Sequence, residues 1–118
     1  MWHKADKVFV LTHYIYVSKK MTINYNFEWD TRKARLNRDN HGVAFDEAAT
    51  VFKDSKAVSI FDPDHSETEE RWITLGISEK GRLLVVSHTF IEVSQDTITI
   101  RLISSRKAKK NEIKTYGE

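Results

Sequence analysis

The sequence predicts an α+β domain: a mainly antiparallel four-stranded sheet with a two-helix hairpin on one face and a short C-terminal helix. Three observations predict it. Between Asp30 and Phe52 the composition is helical, with one break at Gly42. Past residue 56 the chain changes to short runs rich in Val, Ile, Leu and Thr, punctuated by Pro63, Gly81 and Asp96. At 118 residues the chain has room for one small core.

Residues 1–20, MWHKADKVFVLTHYIYVSKK, are expected to be an N-terminal extension from an upstream start, with residues 21–118 as the domain. Met21 and the TINYNFEWD that follows look like a natural beginning. The run VFVLTHYIYV also fits an extra strand. A signal peptide fits poorly, because Thr12 and His13 interrupt the run and no small-residue cleavage site follows.

Tyr25–Trp29 suits a short strand. Asp30 is placed to cap the helix written in TRKARLNRDN, and Gly42 to end it in the left-handed conformation. VAFDEAATVF starts a second helix, with Phe45, Ala48, Ala49 and Phe52 on one face. Ala44 sits where a capping side chain would help, three residues before Glu47. AVSIFD (57–62), RWITLGIS (71–78), RLLVVSHTF (82–90) and TITIRLISS (97–105) read as strands, and RKAKKNEIKTYGE as a basic helix or tail. A two-residue turn at Lys80–Gly81 would set Ile77 opposite Leu84, Leu75 opposite Val86, Ile73 opposite His88 and Arg71 opposite Phe90. A turn at Gln95–Asp96 would bring Ile103 beside His88 and Arg101 beside Phe90. In that register Arg71, His88 and Arg101 cluster where an apolar sheet face ends.

Composition narrows the chemistry. There is no cysteine, which excludes a disulfide framework and a thiolate nucleophile and accords with a reducing cytoplasm. The five histidines show no HxxxH or HExxH spacing, so no metal or other cofactor is expected. No run of 18 apolar residues exists, so no membrane-spanning helix is expected. Net charge is only +2, but it is segregated. DPDHSETEE (62–70) holds five acids and no Lys or Arg, whereas 101–114 holds six Lys and Arg against Glu112.

Arginine and histidine together suit an anion site: arginine grips phosphate as a charged fork, and histidine moves protons near neutral pH. Arg71, His88, Arg101, Ser104 and Arg106 are the candidate catalytic residues. Lys107, Lys109 and Lys110 are candidates for holding RNA. The reaction such a set suits is RNA transesterification, in which the 2′-hydroxyl attacks the neighbouring phosphate. Each residue also has a structural reading. Arg71 could pair with Glu69 or Glu70, His88 could be a hydrogen-bonded core residue, Arg101 could lie on a solvated face, and Ser104 or Ser105 could cap the last helix. The general base stays open between His88 and an acid such as Glu28 or Glu70, with Tyr116 a further candidate.

FEWD (27–30), Asn37, HGV (41–43), FDEA (45–48), DPDHSETEERW (62–72), GRLLVVSHT (81–89) and IRLISSRKA (100–108) together resemble the BrnT family, from about residue 25 onward. The resemblance implies a small cytoplasmic, RelE-like, metal-independent endoribonuclease: the toxin of a type II toxin–antitoxin pair, which stops translation. It implies a BrnA-like ribbon-helix-helix antitoxin as partner, and contact with operator DNA only through that antitoxin. The residues it carries over are Arg71, His88, Arg101, Ser104 and Arg106. A non-catalytic RNA- or antitoxin-binding module, or a corepressor subunit, is the alternative. On either reading the helical hairpin covers one sheet face and leaves the other to the partner, with Trp29 and His41 as pins of the first helix.

Overall fold

A computed structural model describes residues 9–17 and 22–116. The expected start at Met21 lies outside the described residues. The element order is β1 (Phe9–Val17), β2 (Thr22–Asp30), α1 (Thr31–His41), α2 (Phe45–Ala49), β3 (Val58–Phe61), β4 (Trp72–Ile77), β5 (Leu83–His88), β6 (Ile91–Ser94), β7 (Thr97–Lys107) and α3 (Lys110–Thr115). Short 3-10 turns follow α2 at Thr50–Lys53 and precede β4 at Pro63–His65.

The α+β class and the helical hairpin are as expected, but the RelE-like four-stranded sheet is not what forms. The strands run β1-β2-β7-β5-β4-β3, with β6 also paired to β7. β5 and β6 share one lane: β5 pairs with the second half of β7, and β6 with the first. The sheet is mixed, because β2 runs parallel to β7, Asn24 beside Thr97 through Glu28 beside Arg101. A parallel neighbour needs a long crossover, and here everything from α1 to β6 supplies it.

The hairpin forms for the reasons its sequence gives. Asp30 accepts from the amides of Arg32 (2.8 Å) and Lys33 (3.4 Å) at the first turn of α1. Gly42, at φ 69°, ends the helix by donating its N–H to Arg38 O. Ala44 leaves α2 without a side-chain cap, and α2 tightens into 3-10 after one turn. Phe45, Ala48, Ala49 and Val51 are buried against Phe27, Trp29, Leu84, Val86, Ile100 and Leu102 of the sheet. Burying each large side chain there is worth about 1.5–3 kcal/mol. Trp29 meets Phe45 edge-on at 6.0 Å and does pin the start of α1. His41 is exposed, and the pin at the far end is Asn37 instead. Its Nδ2 donates to Val43 O (3.0 Å) and Ser105 O (2.9 Å), and its Oδ1 accepts from Ser105 N–H (3.0 Å). One side-chain amide thus bonds Ser105 as a neighbouring strand would.

The β4–β5 register is one residue away from the expected one. Ile77 pairs with Leu83, Leu75 with Val85, Ile73 with Ser87 and Trp72 with His88. Ser78 N–H donates to Arg82 O and Gly81 N–H to Ser78 O, so the loop between them is three residues, Glu79–Gly81, with Gly81 at φ 81°. A three-residue loop ending in a left-handed glycine is a common hairpin alternative. The slip leaves His88 on the face of Leu84 and Val86, beneath the helices, and puts its expected companions Ile73, Leu75 and Ile77 on the opposite face. The loop is tied to α2 by buried Glu47, which accepts from Ser78 Oγ (2.7 Å) and Arg82 Nε (2.8 Å).

A second irregularity sits in β7. Ser104 pairs with Ser87, but Leu102 pairs with His88, so Ile103 is an extra residue. This bulge reverses the alternation along β7. Leu102 and Ser105 point under the helices, while Arg101, Ser104 and Arg106 share the opposite face.

Candidate functional site

That opposite face is not bare. Leu75 and Val85 are both 7% exposed on it. Two segments meet its arginines from above: the acidic loop at one end and α3 at the other.

Arg101 lies at mid-strand in β7, beside Glu28 of β2. Thr89 fixes its backbone, donating N–H to Arg101 O (3.0 Å) and accepting Arg101 N–H at Oγ1 (3.2 Å). The guanidinium pairs with both carboxylate oxygens of Glu69. The loop that delivers Glu69 is closed at its base: Asp62 N–H donates to Arg71 O (2.8 Å), and Ser66 Oγ accepts Arg71 N–H (2.9 Å). Arg101 and Glu69, with Glu70, Thr89, Phe90, Ile91 and Glu92, line a cleft of about 370 Å³. It offers a cation, three carboxylates and one aromatic ring. A phosphate, a proton acceptor and a base-stacking surface could meet there.

Arg106 lies on the same face and pairs with Glu112 of α3 through two hydrogen bonds of 2.8 Å. Its guanidinium, then burial, set the carboxylate's balance: Arg106 pulls the Glu112 pKa down to about 2 against the opposing effect of desolvation. Glu112 also accepts Lys109 N–H (2.7 Å) at the start of α3. Ser104, half-buried, is Ser87's partner between the two arginines. Lys107, Lys109 and Lys110 are exposed around the β7–α3 junction, where the Lys109 charge adds to the pull on Glu112.

The expected cluster of Arg71, His88 and Arg101 does not form. His88 is fully buried beneath the hairpin, on the far side of the sheet from Arg101. Its Nδ1 faces Thr89 O at 2.9 Å, and a carbonyl can only accept, so Nδ1 carries the proton. Nε2 then accepts from Thr74 Oγ1 at 2.6 Å, and Thr74 accepts from Ser59 at 2.7 Å. Phe52 meets the ring edge-on at 4.9 Å. Burial lowers the His88 pKa to about 4, so it is neutral near pH 7 with both nitrogens engaged. Arg71, just before β4, has a buried Nε with no hydrogen-bond partner among the described residues. Tyr116 donates to Asp54, and that bond raises its pKa to about 12. Ser105 is buried under α1 rather than capping α3.

The residues missed in the sequence are Glu69 as the partner of Arg101, Thr89 as its backbone clamp, and Glu112 as the partner of Arg106. A signal for the first existed. The acidic run at 62–70 and the basic run from Arg101 are opposite in sign, and charge alone pairs them.

Among the described residues, no three His, Asp or Glu side chains converge as a metal-ligand set, and no helix is long and apolar enough to cross a membrane. A comparison with curated proteins finds no match. The family model described as ribonuclease toxin, BrnT, of type II toxin–antitoxin system matches residues 29–112, a span that includes Arg101, Arg106 and both carboxylates that hold them. By that match the chain belongs to the BrnT family of type II toxin–antitoxin ribonuclease toxins.

Proposed function

We propose that the chain is a metal-independent endoribonuclease that cuts RNA at the Arg101 cleft and thereby stops translation in the cytoplasm. The observation that carries this reading is the Arg101–Glu69 pair on a partly exposed sheet face. A phosphate that displaces the carboxylate from Arg101 leaves Glu69 alongside as a proton acceptor. Glu69 takes the 2′-hydroxyl proton, the 2′-oxygen bonds to phosphorus, and the bond to the 5′-oxygen breaks. The departing oxygen is protonated from solvent, leaving a 2′,3′-cyclic phosphate and a 5′-hydroxyl. Arg101 offsets the charge that builds on the phosphoryl oxygens, and Arg106, farther along the strand, holds a neighbouring phosphate. His88 is a core residue in this reading, and Lys107, Lys109 and Lys110 guide the strand.

A BrnA-like ribbon-helix-helix antitoxin would neutralise this face by covering the arginines. The two proteins together would then repress their operon, with DNA held through the antitoxin.

The test is RNA cleavage in excess chelator by the purified protein, beside Arg101→Ala and Glu69→Gln, with the cut ends analysed. Cyclic phosphate ends from the wild type, strongly reduced in both variants, are expected. Ends bearing 5′-phosphate, or cleavage indifferent to both variants, would overturn the reading.

A further inference from the structure

Among the described residues, exposed arginines also lie outside the cleft. Arg101 and Arg106 are each held by a carboxylate of their own chain. By contrast, Arg32, Lys33, Arg35 and Arg38 on α1 are all exposed, and none has a side-chain hydrogen bond or ion pair among the described residues. Arg32, Arg35 and Arg38 follow one another at i, i+3 spacing. They form a continuous ridge that rises about 9 Å along the helix axis.

This arrangement works against the helix that carries it. The N-cap Asp30 carboxylate serves the start of α1, but the first turn itself holds no acid and presents Arg32 and Lys33. Like charges at i, i+3 repel, and this helix sets three arginines in succession. The helix's one acid, Asp39, lies in the last turn. Three arginines in succession with no carboxylate partner among the described residues give the helix little in return, which is where a functional contact is expected.

We infer that the outer ridge of α1 is a second RNA-binding surface, which holds the phosphate backbone of the strand outside the cleft. The chemistry selects nucleic acid over protein. Three of the four cations are arginine, whose planar fork matches phosphate oxygens. The only apolar side chain on the ridge is Leu36, whereas a protein interface needs an apolar centre and a nucleic-acid interface is polar and positive. The surface lies on the helix layer, away from the cleft, so it supplies affinity for long RNA and no chemistry.

Binding of an uncleavable 2′-O-methyl oligonucleotide to the full chain, measured by anisotropy across a salt series, tests this. In Arg32→Gln/Arg35→Gln/Arg38→Gln the slope of log K against log salt should shrink by about 2, at about 0.7 per lost phosphate contact. The matching triple Lys variant should keep most of the slope. The Gln variant should melt no lower than wild type, because repulsion is removed. Cleavage of a dinucleotide, too short to reach α1, should be unchanged, so this reading and that of the cleft fail separately. An unchanged slope would overturn the inference, and so would an unchanged slope with lost binding to the antitoxin, which would make the ridge a protein contact.

Discussion

On the covered side of β7, Ser105 is bonded through its backbone to Asn37, and neighbouring His88 is held between Thr74 and Thr89. On the other side, Arg101 and Arg106 are held by Glu69 and Glu112. Both sides are polar and the groups named are bonded in different ways, although the buried Ser105 Oγ has no partner among the described residues. The covered groups are neutral, buried and bonded to fixed backbone or short hydroxyls. Nothing from solution can take those places. The other groups are charged, partly exposed and bonded to carboxylates, and a carboxylate has a ready competitor in phosphate. The same strand therefore offers stability on one face and exchangeable anion binding on the other.

The comparison breaks most visibly at Arg101. Arg101→Ala should lower cleavage by about 10²–10³, the usual cost of removing one donor to a developing oxyanion. Folding stability should change by no more than about 1 kcal/mol, since the pair with Glu69 is partly screened. Cleavage rates beside urea melts separate the two, and a large fall in stability with little fall in rate would reverse the assignment of that face.

Asn37→Ala should do the opposite. It removes three hydrogen bonds and strands Ser105 N–H, Ser105 O and Val43 O in the core. A loss of about 3 kcal/mol is expected from leaving such groups unpaired. Cleavage per folded molecule should stay near wild type below the shifted urea midpoint.

His88 gives the covered face a pH signature. Burial holds its pKa at about 4, against an ordinary 6.5 in the unfolded chain. The unfolded chain binds more protons between those values. Stability is then full above about pH 6.5 and falls as the pH drops toward 4, by on the order of 3 kcal/mol. Glu112, whose pKa Arg106 lowers to about 2, loses its contribution only below the ordinary 4.5, under most of that window. His88→Gln should flatten the fall above pH 4.5 while leaving the lower limb; urea midpoints across the range measure it.

Much of the hairpin was legible because its signals are local. Asp30 and Gly42 act within one turn of themselves, and the spacing of Phe45, Ala48, Ala49 and Phe52 needs no knowledge of the sheet. The sheet was less so. The sequence EKG permits a two- or three-residue loop, and that single residue parted His88 from the face of Ile73. The parallel pairing of β2 with β7 joins segments some seventy residues apart, with no local mark in either. Arg101 and Arg106, five positions apart, would lie on opposite faces of a regular strand. They share one only because Ile103 bulges, so naming both was sound chemistry that alternation alone would not support. The partners Glu69 and Glu112 were visible as charge segregation and not as contacts.

The smallest effect sharpens the comparison most. Glu112→Gln keeps a side-chain oxygen for Lys109 N–H but removes the charge that holds Arg106. The pair's side chains are 34% and 25% exposed, so stability should fall by less than about 1 kcal/mol. Arg106 then no longer has to leave a carboxylate before it meets a phosphate. RNA should bind a few-fold more tightly at low salt, with a salt slope steeper by about 0.7, the share of one added phosphate contact. No substitution on the covered face can do this, because no anion replaces an amide or a neutral imidazole there. If Glu112→Gln instead weakened RNA binding, the carboxylate would be positioning Arg106 rather than occupying it, and the exchangeable face would be a fixed one after all.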